Sequence, residues 1–378
     1  MAKVKKVILG SLAVIAGLCS VGIIGVLAAS FALTSGNPES ASSVKAVDVA
    51  IMDRYDMYMT NQLSDVLDGV LAIEKVYWLS DNDQVAPEPD QSKFGETNDP
   101  ATMQWFLDAA KPLLNGQDTM FRTDTKIAPN TKVLYYLDDT IMVITWKEII
   151  DNCMYTFSET KIAHPSQFRR FLAGGSFGSP ISLTTTEMAS SVNAVVASSG
   201  DFYMFRRRGV IVYDGIVQRT DSEDVETCYI DDKGNLIFSH QDDLADIESA
   251  QKFVDDHNIR FSMCFGPVLV ENGVPAKISY YPLGEIWDDY SRAALCQKDD
   301  LHYLMVTANS EWPALAVVDI FEFQRALLKF NCDMVYTLDG GQTAVIAMND
   351  KLINKVNYGN QRDISDIIYF ATAIPDGN

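Results

Sequence analysis

Asp339 is followed by Gly340 and Gly341, and then by the hydroxyl of Thr343. The carboxylate closes a short apolar run, residues 334–338, that reads as a buried strand. Two residues without Cβ next to it let a ligand come close to the backbone, and their N–H groups suit an anion. The same letters also fit a hairpin turn, because a second apolar run, residues 344–348, follows the Asp-Gly pair. Asp201 repeats the pattern. It follows Ser199 and Gly200 at the end of the apolar run 194–197, and Arg206, Arg207 and Arg208 come just after it. Three arginines can take a phosphate through paired hydrogen bonds, or can simply be a solvated turn.

Other chemistries find less support. Gly174, Ser176 and Gly178 match the spacing of a nucleophile elbow, which needs a strand-to-helix turn and a catalytic histidine downstream. A helix is expected over residues 165–173, ahead of the motif. The four histidines (His164, His240, His257 and His302) show no triad partner, so the segment reads as a loop. No zincin, EF-hand or Walker sequence is present, so no metal ligand is named. No cofactor is called for. The acidic loops leave room for a divalent cation, but no ligand spacing identifies one.

The elements that must position these residues are set by the whole chain. Its 378 residues, 47% hydrophobic, suffice for a sizeable core. Thirty basic residues against 51 acidic ones leave a net charge of −21, which excludes nucleic acid as a partner. Lys3, Lys5 and Lys6 precede an uncharged segment over residues 7–34, longer than the ~20 residues a helix needs to cross a bilayer. The positive flank places residues 1–6 in the cytoplasm and the rest outside. A cleaved signal peptide is the rival reading. Cys19 falls in that segment. The remaining five cysteines, with no close spacing, read mainly as small buried hydrophobes.

Residues 35–46 read as a linker, and residues 47–76 carry a helical pattern suited to a stalk. Asp99, Pro100 and Gly116 mark a helix with its cap, first turn and stop. Two strands follow, over 132–137 and 140–146. Beyond residue 150, short apolar strands alternate with Gly/Asp turns. Helices are expected at 165–173, 244–256 and 320–331. The fold class is therefore α+β, one large mixed sheet with flanking helices, preceded by one N-terminal transmembrane helix. The expected organisation is a tail (1–6), an anchor (7–34), a linker (35–46), an N-terminal extension of stalk plus small α/β region (47–150) and a main domain (151–378).

Several ordered segments over about residues 158–370 resemble the phosphodiester glycosidase family. His164-Pro165-Ser166-Gln167 is similar to its opening D-P-S-Q, and residues 197–203 stand where the family has A-I-N-G-D-Y/F-F. Arg208-Gly209 with Tyr213-Asp214-Gly215, Phe265-Gly266-Pro267, Ser291-Arg292-Ala293 and Arg362 with Ser365-Asp366 resemble later segments. Residues 336–343 stand where the family has Y-N-L-D-G-G-G-S. Ser199 replaces an Asn, Gln342 a Gly, and Ala293 a Thr.

The resemblance implies a glycosidase that hydrolyses sugar 1-phosphodiesters in cell-envelope or exopolysaccharide glycans, with a phosphate-linked glycan as its partner. Glycoside hydrolysis usually uses two carboxylates, and Asp201 and Asp339 are the pair. Their roles as acid, base or nucleophile stay open. Ser199, Gly200, Arg208, Arg292, Gly340, Gly341, Thr343 and Arg362 are the expected substrate and phosphate contacts. The alternative is a glycan-binding or scaffold module that keeps the fold without turnover.

Overall fold

The computed structural model describes residues 79, 85–221, 225–241, 243–278, 281 and 284–374. The expected tail, anchor, linker and stalk lie outside them. Residues 77–378 form one compact unit. Among the described residues, no helix is long and apolar enough to cross a membrane.

The elements run β1 (Phe94–Thr97), α1 (Pro100–Leu114), β2 (Val133–Leu137), β3 (Ile141–Ile150), β4 (Cys153–Ile162), β5 (Phe168–Leu172), α2 (Thr185–Ser191), β6 (Val196–Ser199), β7 (Ile211–Tyr213), β8 (Ile216–Arg219), β9 (Thr227–Asp231) and β10 (Leu236–Ser239). They continue with α3 (Ile247–His257), β11 (Ile259–Met263), β12 (Val268–Glu271), β13 (Val274–Pro275), β14 (Arg292–Asp299), β15 (His302–Asn309), α4 (Ile320–Leu328), β16 (Met334–Leu338), β17 (Ile346–Met348), β18 (Lys351–Leu352) and β19 (Asp366–Phe370). Strands and helices coexist as expected, but strands dominate, and they form three sheets in place of one. A nine-stranded sheet has the order β1-β2-β3-β4-β15-β14-β16-β12-β13; two five-stranded sheets have the orders β10-β9-β11-β7-β8 and β18-β17-β6-β19-β5. None of the three closes into a barrel. Every pairing between these strands is antiparallel.

The large sheet is buried on both faces: β4 is buried at all ten positions, the polar Thr156, Ser158 and Glu159 included. Successive side chains alternate between two cores. Met142, Ile144 and Trp146 of β3 face Phe106 and Ala110 of α1 and Phe323 and Leu327 of α4. Ile141 and Val143 face Phe168, Ile230, Phe261 and Ile368 from the two smaller sheets. Each fully buried Ile or Phe of these cores contributes roughly 1.5–3 kcal/mol.

Helix α1 forms where its caps predict. The Asp99 side chain accepts from Thr102 N at 3.0 Å, and Asn115 and Gly116 end the helix with φ of +48° and +84°. The expected helix at 165–173 is a correction. Residues 165–167 make a single 3₁₀ turn and 168–172 are strand β5, whose arginines find buried partners on β19: Arg170 Nε donates to Asp366 at 2.6 Å and Arg169 Nε to the Tyr369 hydroxyl at 3.1 Å. The expected boundary at residue 150 falls in the tight β3–β4 turn, where Asp151 and Asn152 both have positive φ. Strands from both sides of it therefore share one sheet.

Candidate active site

A cavity of about 350 Å³ opens where β14 begins and β16 ends, bordered by the loops that follow β6 and precede β19. Strands β14 and β16 are neighbours, with Ala293 opposite Leu338, so Arg292 and Asp339 emerge side by side. The hairpin reading of the Asp-Gly-Gly segment does not hold, because β16 belongs to the nine-stranded sheet and β17 to a five-stranded one. The glycines instead serve close packing. A Cβ on Gly340 would lie 2.5 Å from the Ser291 carbonyl oxygen, and one on Gly341 (φ +64°) 2.8 Å from the Tyr290 ring. Gly341 N–H donates to Ser291 O at 2.8 Å, so that donor is already used within the fold.

Asp339 is the acidic group of the cavity. Burial pushes its pKa up to about 6, against the opposing charge of Arg362, the Thr343 hydroxyl and Arg206. Arg362 Nη2 donates to Asp339 Oδ2 at 2.6 Å, and its guanidinium lies over the Phe202 ring, 4.9 Å from the centroid. Arg206 Nη2 donates to the carbonyls of Cys264 (2.8 Å) and Phe265 (3.1 Å) while its guanidinium covers the Phe265 ring. Arg292 is held by the carbonyls of Val318 (3.3 Å), Ile286 (3.0 Å) and Asp288. Burial pulls its pKa down to about 10, which leaves it cationic at neutral pH. Three guanidinium groups and one carboxylate thus line a cavity in a chain of net charge −21. Such a pocket draws an anion.

Of the residues expected from sequence, Arg292, Asp339, Gly340, Gly341 and Arg362 line this cavity; Ser199, Gly200, Asp201, Arg208 and Thr343 do not. Asp201, expected as one of the carboxylate pair, lies outside the lining of this cavity. Its carboxylate is sealed in the fold, accepting from Phe202 N and Cys264 N at 2.7 Å each, with Arg170 Nη2 at 3.8 Å. Its own N–H donates to Asp366 Oδ1 at 3.0 Å. Burial alone would lower the Arg170 pKa, but the Asp366 and Asp201 carboxylates override it and hold the group charged.

Gly200 is required by packing, since a Cβ there would meet the Asp366 carboxylate at 2.4 Å. The Ser199 hydroxyl donates to the Asp339 carbonyl at 3.3 Å, and the Thr343 hydroxyl to the Gly340 carbonyl at 2.6 Å, so both brace the Asp339 loop from behind. Arg208 meets neighbouring segments through its carbonyl, which accepts from Arg219 Nη2 at 2.8 Å.

Sequence reasoning noted the arginine triplet but carried forward Arg208, where the cavity takes Arg206. It also missed the aromatic lining of Phe202, Phe205, Phe265, Tyr290 and Tyr358. The signal for part of it was present: Phe202 and Phe205 flank Asp201 and Arg206 in the chain. Asp289, Asp319 and Glu322 come together nearby. Asp319 and Glu322 are accounted for as the reciprocal cap of α4, with Glu322 N donating to Asp319 at 2.7 Å.

Residues 192–371, just under half of the chain, match the family model described as phosphodiester glycosidase, which shows the resemblance over that span. No curated protein matches the chain. Among solved structures, the catalytic domain of zebrafish N-acetylglucosamine-1-phosphodiester alpha-N-acetylglucosaminidase, auto-inhibited by its pro-peptide, is similar at 16% identity and a TM-score of 0.48, over 69% of this chain and 93% of that one. A hypothetical protein of Synechocystis is similar at 13% identity and a TM-score of 0.44, over 66% of this chain; the chain spans 64% of that protein's length. A Burkholderia pseudomallei protein described as exported is similar at 13% identity and a TM-score of 0.41, over 58% of this chain and 74% of that one.

Proposed function

We propose, from the match of residues 192–371 to the phosphodiester glycosidase family, that this chain hydrolyses sugar 1-phosphodiester linkages of cell-envelope or exopolysaccharide glycans in the cavity at Asp339. The observation that carries the reading is Asp339 itself, a buried carboxylate raised to about 6 beside Arg206, Arg292 and Arg362. A group with that pKa is mostly ionised at neutral pH yet basic enough to take a proton in a transition state. In the proposed step a water oxygen bonds to the anomeric carbon and its proton passes to Asp339. The bond from that carbon to the phosphate oxygen breaks, and its electron pair leaves with the phosphate.

The usual second carboxylate protonates a poor leaving group. A phosphate needs little such help, and the guanidinium groups hold its growing charge. This fits a site with Asp201 turned away. Placement outside the cytoplasm on an anchor at residues 7–34 is part of the proposal, supported by the lysine flank and the uncharged run.

The second reading, a glycan-binding or scaffold module, is favoured by that same absence of Asp201 from the cavity. One experiment separates the two. The full chain is incubated with α- and β-linked sugar 1-phosphodiesters, with and without divalent metal, and free sugar is measured. Turnover that falls ~10²–10⁴-fold in Asp339→Asn is the expected result, the range for loss of a positioned base. Binding without release from any substrate, in either metal condition, would establish the module.

A further inference from the structure

Tyr358 stands out on the cavity rim. It is 66% exposed, lines the cavity and has φ of +65°, a left-handed conformation that bulky L residues avoid at a cost of roughly 1–2 kcal/mol. A strained, exposed aromatic persists only where its surroundings fix it, and such strain gathers at ligand clamps. The fixing groups are evident. Gln342 Nε2 donates to the Tyr358 carbonyl at 3.0 Å. The preceding Asn357 accepts from Ser310 N at 2.9 Å and from the Ser291 hydroxyl, and donates to Ser310 O at 2.8 Å. Tyr290 completes the arrangement, its ring against the bare Gly341 backbone and 6.0 Å from that of Tyr358, tilted by 33°.

We propose that Tyr358 and Tyr290 form the platform that receives the sugar ring, and that Gln342 is the positioning residue that holds it. The inference rests on the phosphodiester glycosidase reading and deepens it. The cavity has two chemically distinct parts. Arg362, against Asp339 and Phe202, and Arg206, against Phe265, supply charge for a phosphate. The tyrosine pair supplies broad apolar faces with hydroxyl tips, the surface that a pyranose can cover with a face of C–H bonds while its hydroxyls reach polar groups. Asp339 joins the parts: its carboxylate takes Arg362, and Gly341, two residues on, carries Tyr290. Gln342 stands where the resembled family motif has glycine, so the strap to Tyr358 is a feature of this chain's own sequence.

The test uses the full chain, titrated calorimetrically with inorganic phosphate and with methyl diesters of several hexopyranose 1-phosphates, alongside sugar release. Tyr358→Ala is expected to weaken diester binding roughly 3- to 10-fold, the value of one aromatic contact, with inorganic phosphate bound as before and Tyr358→Phe restoring the affinity. Gln342→Met, which keeps the length and loses the donor, is expected to raise KM for the diesters by a smaller factor and leave kcat and phosphate binding in place. Equal loss of phosphate and diester in Tyr358→Ala would overturn the platform, as would unchanged diester binding, or no diester binding by the unmodified chain. Diester binding that depends on Tyr358 without any sugar release would uphold the platform and remove the hydrolase reading.

Discussion

Asp201 and Asp339 look alike in the sequence and do opposite things in the structure. Each ends an apolar strand and touches a glycine. Asp201 meets two backbone N–H donors, the buried Arg170 and the Asp366 carboxylate behind it, and is 1% exposed. Asp339 meets one half-exposed arginine and a cavity. The difference is one of access: each Asp201 oxygen takes a backbone N–H and the side chain lies outside the cavity lining, whereas Asp339 lines the cavity. The flanking glycines do not discriminate, because Gly200 and the Gly340–Gly341 pair alike serve close packing.

That contrast can be broken in three ways, in descending size. Asp201→Ala removes the acceptor of two buried N–H groups, at about 1–3 kcal/mol each, so a loss of roughly 3 kcal/mol or more is expected in the denaturant midpoint. An unfolding free energy within error of the unmodified chain would make Asp201 a free group after all.

The pH arm comes next. The folded-state pKa of Asp339 lies above its ordinary value, at about 6. Its contribution to stability is therefore fully present below the unfolded value near 4, and is lost as pH rises through about 6. Across that window Asp339→Asn should gain about 2–3 kcal/mol relative to the unmodified chain, read from unfolding curves at several pH values. A difference that does not vary with pH would mean that Asp339 is not held in a desolvated site.

The smallest effect is expected at the link between the two strand ends. Ser199→Ala deletes one neutral hydrogen bond to the Asp339 carbonyl, and about 1 kcal/mol of stability should go with it. A selective loss of turnover with stability unchanged would instead put Ser199 in the chemistry.

What was legible in the sequence follows the same division between local and distant causes. The α1 helix, the β2–β3 pair and the strand leading into Asp339 were readable, because capping side chains, turn residues and apolar runs act over a few positions. Strand β5 was not. Arg169 and Arg170 make it look amphipathic, and the partners that let it be buried, Tyr369 and Asp366, lie on β19, 200 and 196 residues away. That same Arg170 lies 3.8 Å from the Asp201 carboxylate, so a strand that local sequence does not reveal also shapes the surroundings of Asp201. Tyr358 was invisible for a similar reason: an isolated tyrosine among polar residues gives no signal until Gln342 and Asn357 are seen holding it.

The β3–β4 hairpin bears on how the chain can be divided. All ten residues of β4 are buried, and β3 pairs with it at ten successive positions. Removing everything ahead of residue 151 would strip β3 from β4 and leave a ten-residue strand, paired only with β15, with the N–H and C=O groups of its other edge open, the kind of edge that recruits other chains into aggregates. Although the family match begins only at residue 192, the segment before it supplies β1 to β4 of the large sheet and covers the edge that β4 would otherwise expose.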